Sequence, residues 1–191
     1  MRRLRRTLRP RLLATYALAA IVILSARPTL GAVAAGLVLI ALGEGLRLWA
    51  TGYLHKTESL TVSGPYGYIR HPLYLGTLLI SGGFVVMASF WAGYVIFALF
   101  LIGYFGYYMP YKNRIEGARL ESLFGDQYLR YEAAVPKLLP RLHRYVPLGG
   151  LSDEIARWQG VRFADNHETR VAGAVLGGVL VLMTRWAWLQ I

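Results

Sequence analysis

From Leu73 to Tyr111 the chain carries no Asp, Glu, Lys or Arg. A helix of that run would reach about 60 Å at about 1.5 Å per residue, whereas the apolar core of a bilayer is only about 30 Å thick. The stretch must therefore fold as two membrane-spanning helices, with Ser89 to Gly93 as the expected turn. A tight hairpin returns both ends to one side. It brings the polar segment before it, GPYGYIRHPLYLG from Gly64 to Gly76, close to the one after it, which opens with Lys112, Arg114 and Glu116.

The rest of the chain is consistent with a membrane protein. Of 191 residues, 55% are hydrophobic and only 16% charged, far from the balance of a soluble domain. Leu12 to Ala26 is an uncharged run behind six arginines. A signal peptide is the rival reading, but a convincing small-x-small cleavage site before Pro28 is lacking, so a retained helix is expected. A second span runs from Leu30 to about Tyr53. Glu44 and Arg47 lie one helical turn apart within it and can pair, because either charge alone would be costly inside a bilayer. A last span covers Val171 to Ile191, with Gly173 and Gly177 in a spacing that permits close helix packing.

Between Lys112 and Arg170 lies a long polar region holding ten of the 21 Lys and Arg residues. In it Leu120, Leu123, Phe124, Tyr128 and Tyr131 recur at helical spacing, which suggests an amphipathic helix against the membrane face. Pro136, Pro140 and Pro147 then break the chain, and a short interfacial helix over Asp153 to Trp158 is possible. The chain as a whole, 1–191, reads as one all-α polytopic domain of about five transmembrane helices. Eighteen Lys and Arg fall on the side of the N-terminus and both polar loops, against Arg27 and Arg185 opposite. This asymmetry places that side in the cytoplasm and the C-terminus across the membrane. Membrane topology therefore accounts for the net charge of +11 better than nucleic-acid binding, because the basic residues flank apolar spans and form no stripe. The absence of cysteine removes disulfides and thiolate chemistry, and the four histidines form no metal motif.

The segment before the hairpin packs Tyr66, Tyr68, Tyr74, Arg70 and His71 around a Gly64–Pro65 turn. Proline suits the first turn of a helix and pushes its predecessor out of helical geometry. A helix is therefore expected to start at Pro72, with Arg70 and His71 at its positive end. Each of these side chains also has a structural reading. His71 could brace the loop, Arg70 could anchor at headgroups, and Glu116 could pair with Lys112 or Arg119 along its helix.

The run GLRLWATGYLHKTESLTVSGPYGYIRHPLYL from Gly45 to Leu75, followed by Glu116 and FGDQYLRYEAAVPKLLP, resembles the isoprenylcysteine carboxyl methyltransferase family. That family is similar in turn to the phospholipid N-methyltransferases. The resemblance covers roughly residues 43–140, leaving out the first helix, the segment after Pro140 and the last helix. It implies a membrane-embedded methyltransferase that takes S-adenosylmethionine from the cytoplasm, in a bacterial inner membrane. It also implies cofactor-binding roles for Glu58, Ser59, Leu60, Thr61, Tyr66, His71, Pro72, Leu73, Tyr74 and Glu116, and a substrate-contacting role for Lys112. The family often has a second acid where this chain has Gly117, and an arginine where it has Lys112.

The residues themselves point to the same place. A sulfonium cofactor presents a cation, an amino group, a carboxylate and an adenine. Glu116 suits the amino group, the start of the helix at Pro72 with Arg70 suits the carboxylate, and the tyrosines suit the rings. Arg70, Lys112 and Arg114 would favour an anionic acceptor, a carboxylate on an amphiphilic, lipid-like molecule, with Lys112 and Arg114 holding it. A lipid amine N-methyltransferase is the alternative enzyme, for which His71 or Glu116 would have to serve as base. A non-catalytic membrane adaptor of the same fold is the alternative of another class.

Overall fold

The computed structural model describes residues 21, 23–54, 59–148, 157–161 and 168–191. The described residues form helices and loops without strands. Most of the expected first span, Glu58, and most of the segment considered for a short interfacial helix lie outside them. The main elements are α1 (Leu30–Thr51), α2 (Pro72–Ala88), α3 (Trp91–Gly103), α4 (Met109–Phe124), α5 (Asp126–Ala134) and α6 (Glu168–Trp188). Tyr104–Tyr108 forms a widened π-helical turn between α3 and α4. By length and composition α1, the run Trp91–Phe124 and α6 can each cross a membrane, and α2 is a shorter apolar helix of 17 residues.

The uncharged run folds as the expected hairpin. Ser89 takes a left-handed conformation at φ 49° and ends α2, and Trp91 starts α3. Beyond Tyr111 the helix does not stop where charge begins. It runs unbroken from Trp91 to Phe124, 34 residues or about 51 Å. The last turns of α4 therefore stand clear of an apolar core of about 30 Å. The expected amphipathic helix is split in two by Gly125 at φ 50°, which ends α4 and turns the chain into α5.

Glycines hold α1 and α2 together. A Cβ at Gly43 would stand 2.6 Å from the Gly76 carbonyl oxygen, and one at Gly36 would stand 2.7 Å from that of Gly83. The two pairs run antiparallel at matching seven-residue spacing, with Ile40 and Ile80 buried between them. The sequence placed this device on the last helix instead. There, however, Gly173 and Gly177 meet nothing within 4 Å, and the close contact is Gly178 against the Phe84 ring. Val33, Ile40, Met87 and Leu182 complete an apolar core between α1, α2 and α6.

The expected Glu44–Arg47 pair does not form. Arg47 turns to Glu168 on α6, with its Nε donating at 2.6 Å and Nη2 at 3.0 Å, and both side chains are largely buried. A fork of two bonds to a carboxylate is the geometry arginine favours, and Glu44 on the same helix as Arg47 does not receive it. The Glu44 carboxylate oxygens are buried without a hydrogen bond. Removing one partner of a buried ion pair generally costs about 3–5 kcal/mol, because the other charge is left buried and unpaired, so α1 and α6 are held in register by the demand that these two charges meet.

Candidate functional site

Pro72 opens α2, and His71 before it is non-helical at φ −121° and ψ 61°, as its position before proline requires. The loop leading to it is pinned from behind by the chain that follows α5. The Arg70 and His71 N–H groups donate to the carbonyls of Pro136 and Lys137, at 2.9 and 3.1 Å. The N–H groups of Arg141 and Tyr145 donate back to the carbonyls of Tyr68 and Gly67, at 3.0 and 2.8 Å. Tyr131 adds a buried bond from its hydroxyl to the Tyr66 carbonyl at 2.8 Å. Under this strap Leu60, Val62, Tyr128, Tyr131 and Val135 form a second apolar core. The GPYGYIRHP loop is thus a fixed wall.

Facing that wall is one side of α4. Asn113, Glu116, Gly117, Leu120, Phe124 and Leu123 fall at three- and four-residue spacings, the repeat of a single helix face. Between them lies a cavity of about 570 Å³, within the usual range for small-molecule sites. Ser59, Leu60, Thr61, Tyr66, Arg70 and His71 line it from the loop side, and Tyr128, Tyr131 and Glu132 line it from α5. The hairpin brings the two polar segments together, as the uncharged run required.

Of the residues singled out in the sequence, Ser59, Leu60, Thr61, Tyr66, Arg70, His71 and Glu116 border the cavity. Pro72 is fully buried as the first residue of α2. Leu73 contributes its carbonyl to Arg47 and Thr77. Tyr74 stands behind the wall, its ring stacked on His71 at 5.1 Å and its hydroxyl donating to Glu116 at 3.4 Å. Lys112 is half-buried and Arg114 exposed, and neither borders the cavity. Among the described residues Glu116 makes no ion pair with Lys112 or Arg119. Arg70 reaches inward, not to headgroups, and is paired with Glu132 of α5.

Asn113, Arg119, Glu132 and the α5 tyrosines went unrecognised as cavity residues. The helical repeat through Glu116 would have found Asn113 and Leu120. Nothing local to α5 announces that its tyrosines turn to the cavity instead of the membrane, because that depends on the turn at Gly125.

Burial lowers the His71 pKa from its usual value, and the charges of Arg70 and Lys137 act in the same direction, while Glu116 and Asn113 oppose. The imidazole is thereby favoured neutral. Burial raises the Tyr66 and Tyr131 pKa values far up, so both phenols stay protonated. Three buried polar atoms in the wall have no hydrogen bond of ordinary geometry: Ser59 Oγ, Arg70 Nε and Asn113 Oδ1. Buried polar atoms left over in a native fold call for a partner, and here they are gathered around one cavity. A polar ligand with both donors and acceptors fits them.

Fold and cavity define a class: a polytopic all-α membrane protein with a cavity of mixed polar and apolar lining where the two polar segments meet. In sequence the chain is similar to protein-S-isoprenylcysteine O-methyltransferase B of Arabidopsis thaliana, 32% identical over 117 residues, 55% of this chain and 57% of that protein. It is 32% identical over 121 residues to the protein-S-isoprenylcysteine O-methyltransferase of Rattus norvegicus, 56% of this chain and 40% of that protein. It is also 33% identical over 112 residues to the cobalt-zinc-cadmium resistance protein CzcN of Cupriavidus metallidurans, 58% of this chain and 50% of that one. The chain spans about half the length of the curated relatives it matches. No family profile matches it, and no solved structure does. Over the matched stretch the chain is similar in sequence to isoprenylcysteine O-methyltransferases.

Proposed function

We propose that this protein is a membrane-embedded methyltransferase that uses S-adenosylmethionine to O-methylate a carboxylate on an amphiphilic, lipid-like acceptor. The observation that carries the reading is the cavity itself, where Glu116, Arg70, His71 and Tyr66 meet beside unsatisfied Ser59 Oγ, Arg70 Nε and Asn113 Oδ1. When bound, S-adenosylmethionine supplies an electrophilic methyl group on a sulfonium. Glu116 holds its amino group, Arg70 holds its carboxylate, and Tyr66 with the α5 tyrosines borders its rings. Ser59, Leu60 and Thr61 complete the loop side of the site, and Pro72, Leu73 and Tyr74 hold the helix start in place.

Methyl transfer of this kind demands alignment and the exclusion of water more than acid or base catalysis. A carboxylate acceptor is already ionised, so the neutral His71 has no proton to remove. Lys112 and Arg114 sit on α4 just before Glu116, nearer the apolar hairpin, where an anionic head entering from the membrane would be received. Lysine offers a point charge without the two-pronged geometry of arginine, so orientation of the acceptor is looser here than with arginine. The protein sits in a bacterial inner membrane with its cavity on the cytoplasmic side, in keeping with the Lys and Arg asymmetry.

Three measurements test this reading. Calorimetry of the purified protein in detergent with S-adenosylhomocysteine should show binding, and an adaptor without activity should show none. Lipid extracts incubated with methyl-labelled S-adenosylmethionine should yield a base-labile ester. A base-stable product would mean N-methylation and would overturn the choice of acceptor. Lys112→Arg should preserve or improve turnover, and Lys112→Glu should raise the KM for the acceptor while leaving cofactor affinity unchanged.

A further inference from the structure

Arg47 bonds in two directions. On one side it holds Glu168, which is only 3% exposed and belongs to α6. On the other its Nη1 donates to Thr77 Oγ1 at 2.7 Å and to the Leu73 carbonyl at 3.4 Å. Thr77 in turn donates to that carbonyl at 2.9 Å. Leu73 lies in the first turn of α2, and His71, whose carbonyl accepts from the N–H groups of Tyr74 and Leu75, caps that turn in the cavity wall.

One further contact ties this pair to α2. Gly76 leaves the space the arginine stem occupies, because a Cβ there would stand 2.5 Å from Arg47 Cγ. The ion pair is thus bonded to the first turn of α2, two residues from His71 in the cavity wall, and nothing in the methyl-transfer scheme uses it.

We infer that Arg47 and Glu168 are positioning residues that set the first turn of α2, and with it His71, in the cavity wall, so that the last helix is a working part of the site. A carboxylate at Glu168 orients the guanidinium, and the guanidinium orients the Leu73 carbonyl and Thr77. Loss of the carboxylate frees the arginine to swing, and the helix start loses its outer brace. The inference draws on the proposed cofactor only for one of its readouts.

The test uses the full-length protein in detergent with Glu168→Gln, Glu168→Asp and Arg47→Lys. Site-resolved mass spectrometry after brief diethyl pyrocarbonate treatment measures the reactivity of His71, and calorimetry measures S-adenosylhomocysteine affinity. Glu168→Gln should raise His71 reactivity several-fold and weaken affinity about tenfold, a change of about 1.4 kcal/mol, while the protein still melts cooperatively. Glu168→Asp should recover most of both. Should Glu168→Gln not fold, Arg47→Lys keeps the charge but loses the fork and should show the same two changes. A folded Glu168→Gln with wild-type His71 reactivity and affinity would overturn the inference, as would an aspartate that rescues nothing, or a rise at His71 accompanied by loss of cooperative melting. If the wild-type protein binds no S-adenosylhomocysteine yet His71 still responds and recovers, the cofactor reading fails and the positioning role stands.

Discussion

His71 illustrates how a single position combines several constraints. Proline after it fixes its backbone, Tyr74 stacks on its ring, and burial favours its neutral form. Its pKa in the folded protein lies below the value of about 6.5 that it takes when unfolded. Below that value the unfolded chain binds a proton that the folded chain resists. The stabilisation is therefore complete above about pH 6.5 and is lost as pH falls through the lowered pKa. Melting curves in detergent from about pH 8 to about pH 5 should show wild type losing stability relative to His71→Asn. A constant difference between the two would assign the pH dependence to another group. Glu116→Ala should leave melting nearly unchanged, since Glu116 makes only a long bond to Tyr74, yet it should abolish most S-adenosylhomocysteine affinity in calorimetry. Tyr131→Phe should cost about 0.5–1.5 kcal/mol of stability, the worth of the buried bond to the Tyr66 carbonyl.

Among the elements, the α1–α2 pair is the frame on which the site is mounted, and its glycines decide how close the helices come. At Gly43 an added methyl meets the Gly76 carbonyl oxygen and the Ile80 backbone nitrogen, at 2.6 and 3.0 Å, and backbone atoms cannot step aside as a flexible side chain can. Gly43→Ala should therefore destabilise by about 1–3 kcal/mol, as overpacking does. Gly45 lies two residues on with nothing within 4 Å of its would-be Cβ. Gly45→Ala should be neutral or stabilising by about 0.5–1 kcal/mol, because glycine is a poor residue for a helix interior. Thermal unfolding of both variants in one detergent makes the comparison, and equal effects would show that the close approach of the helices contributes nothing.

At the scale of the whole molecule the prediction concerns topology. From the Lys and Arg distribution we expect residues before Leu12 in the cytoplasm and residues after the last helix on the opposite face. Reporter fusions at the two ends should report opposite compartments, and ends on the same side would remove one of the five spans. Within the described residues, apart from the shorter α2, the helices long and apolar enough to cross are α1, the run Trp91–Phe124 and α6. The Arg47–Glu168 pair then joins the first of these to the last on the side where the chain turns toward the cavity.

What the sequence determined by itself was whatever depends on length, charge and local backbone preference. Thirty-nine residues from Leu73 to Tyr111 without charge require a hairpin because a bilayer is thin, and Pro72 requires a helix to start there with His71 held out of it. That was sufficient to bring the Gly64–Gly76 loop to Glu116, and to put Ser59, Tyr66, Arg70 and His71 beside one another. The partners of the charges were another matter. Arg47 has an acid one turn away on its own helix and another 121 residues along the chain, and local spacing favours the first. The helix packing presents the second with room for a two-bond fork, because Gly76 makes way for the arginine. Likewise the tyrosines of α5 have the spacing of an amphipathic face, but which way that face turns was decided by Gly125 and by the strap over the Gly67–His71 loop. Periodicity gives a face and never its direction, since direction is set by contacts between segments far apart in the chain.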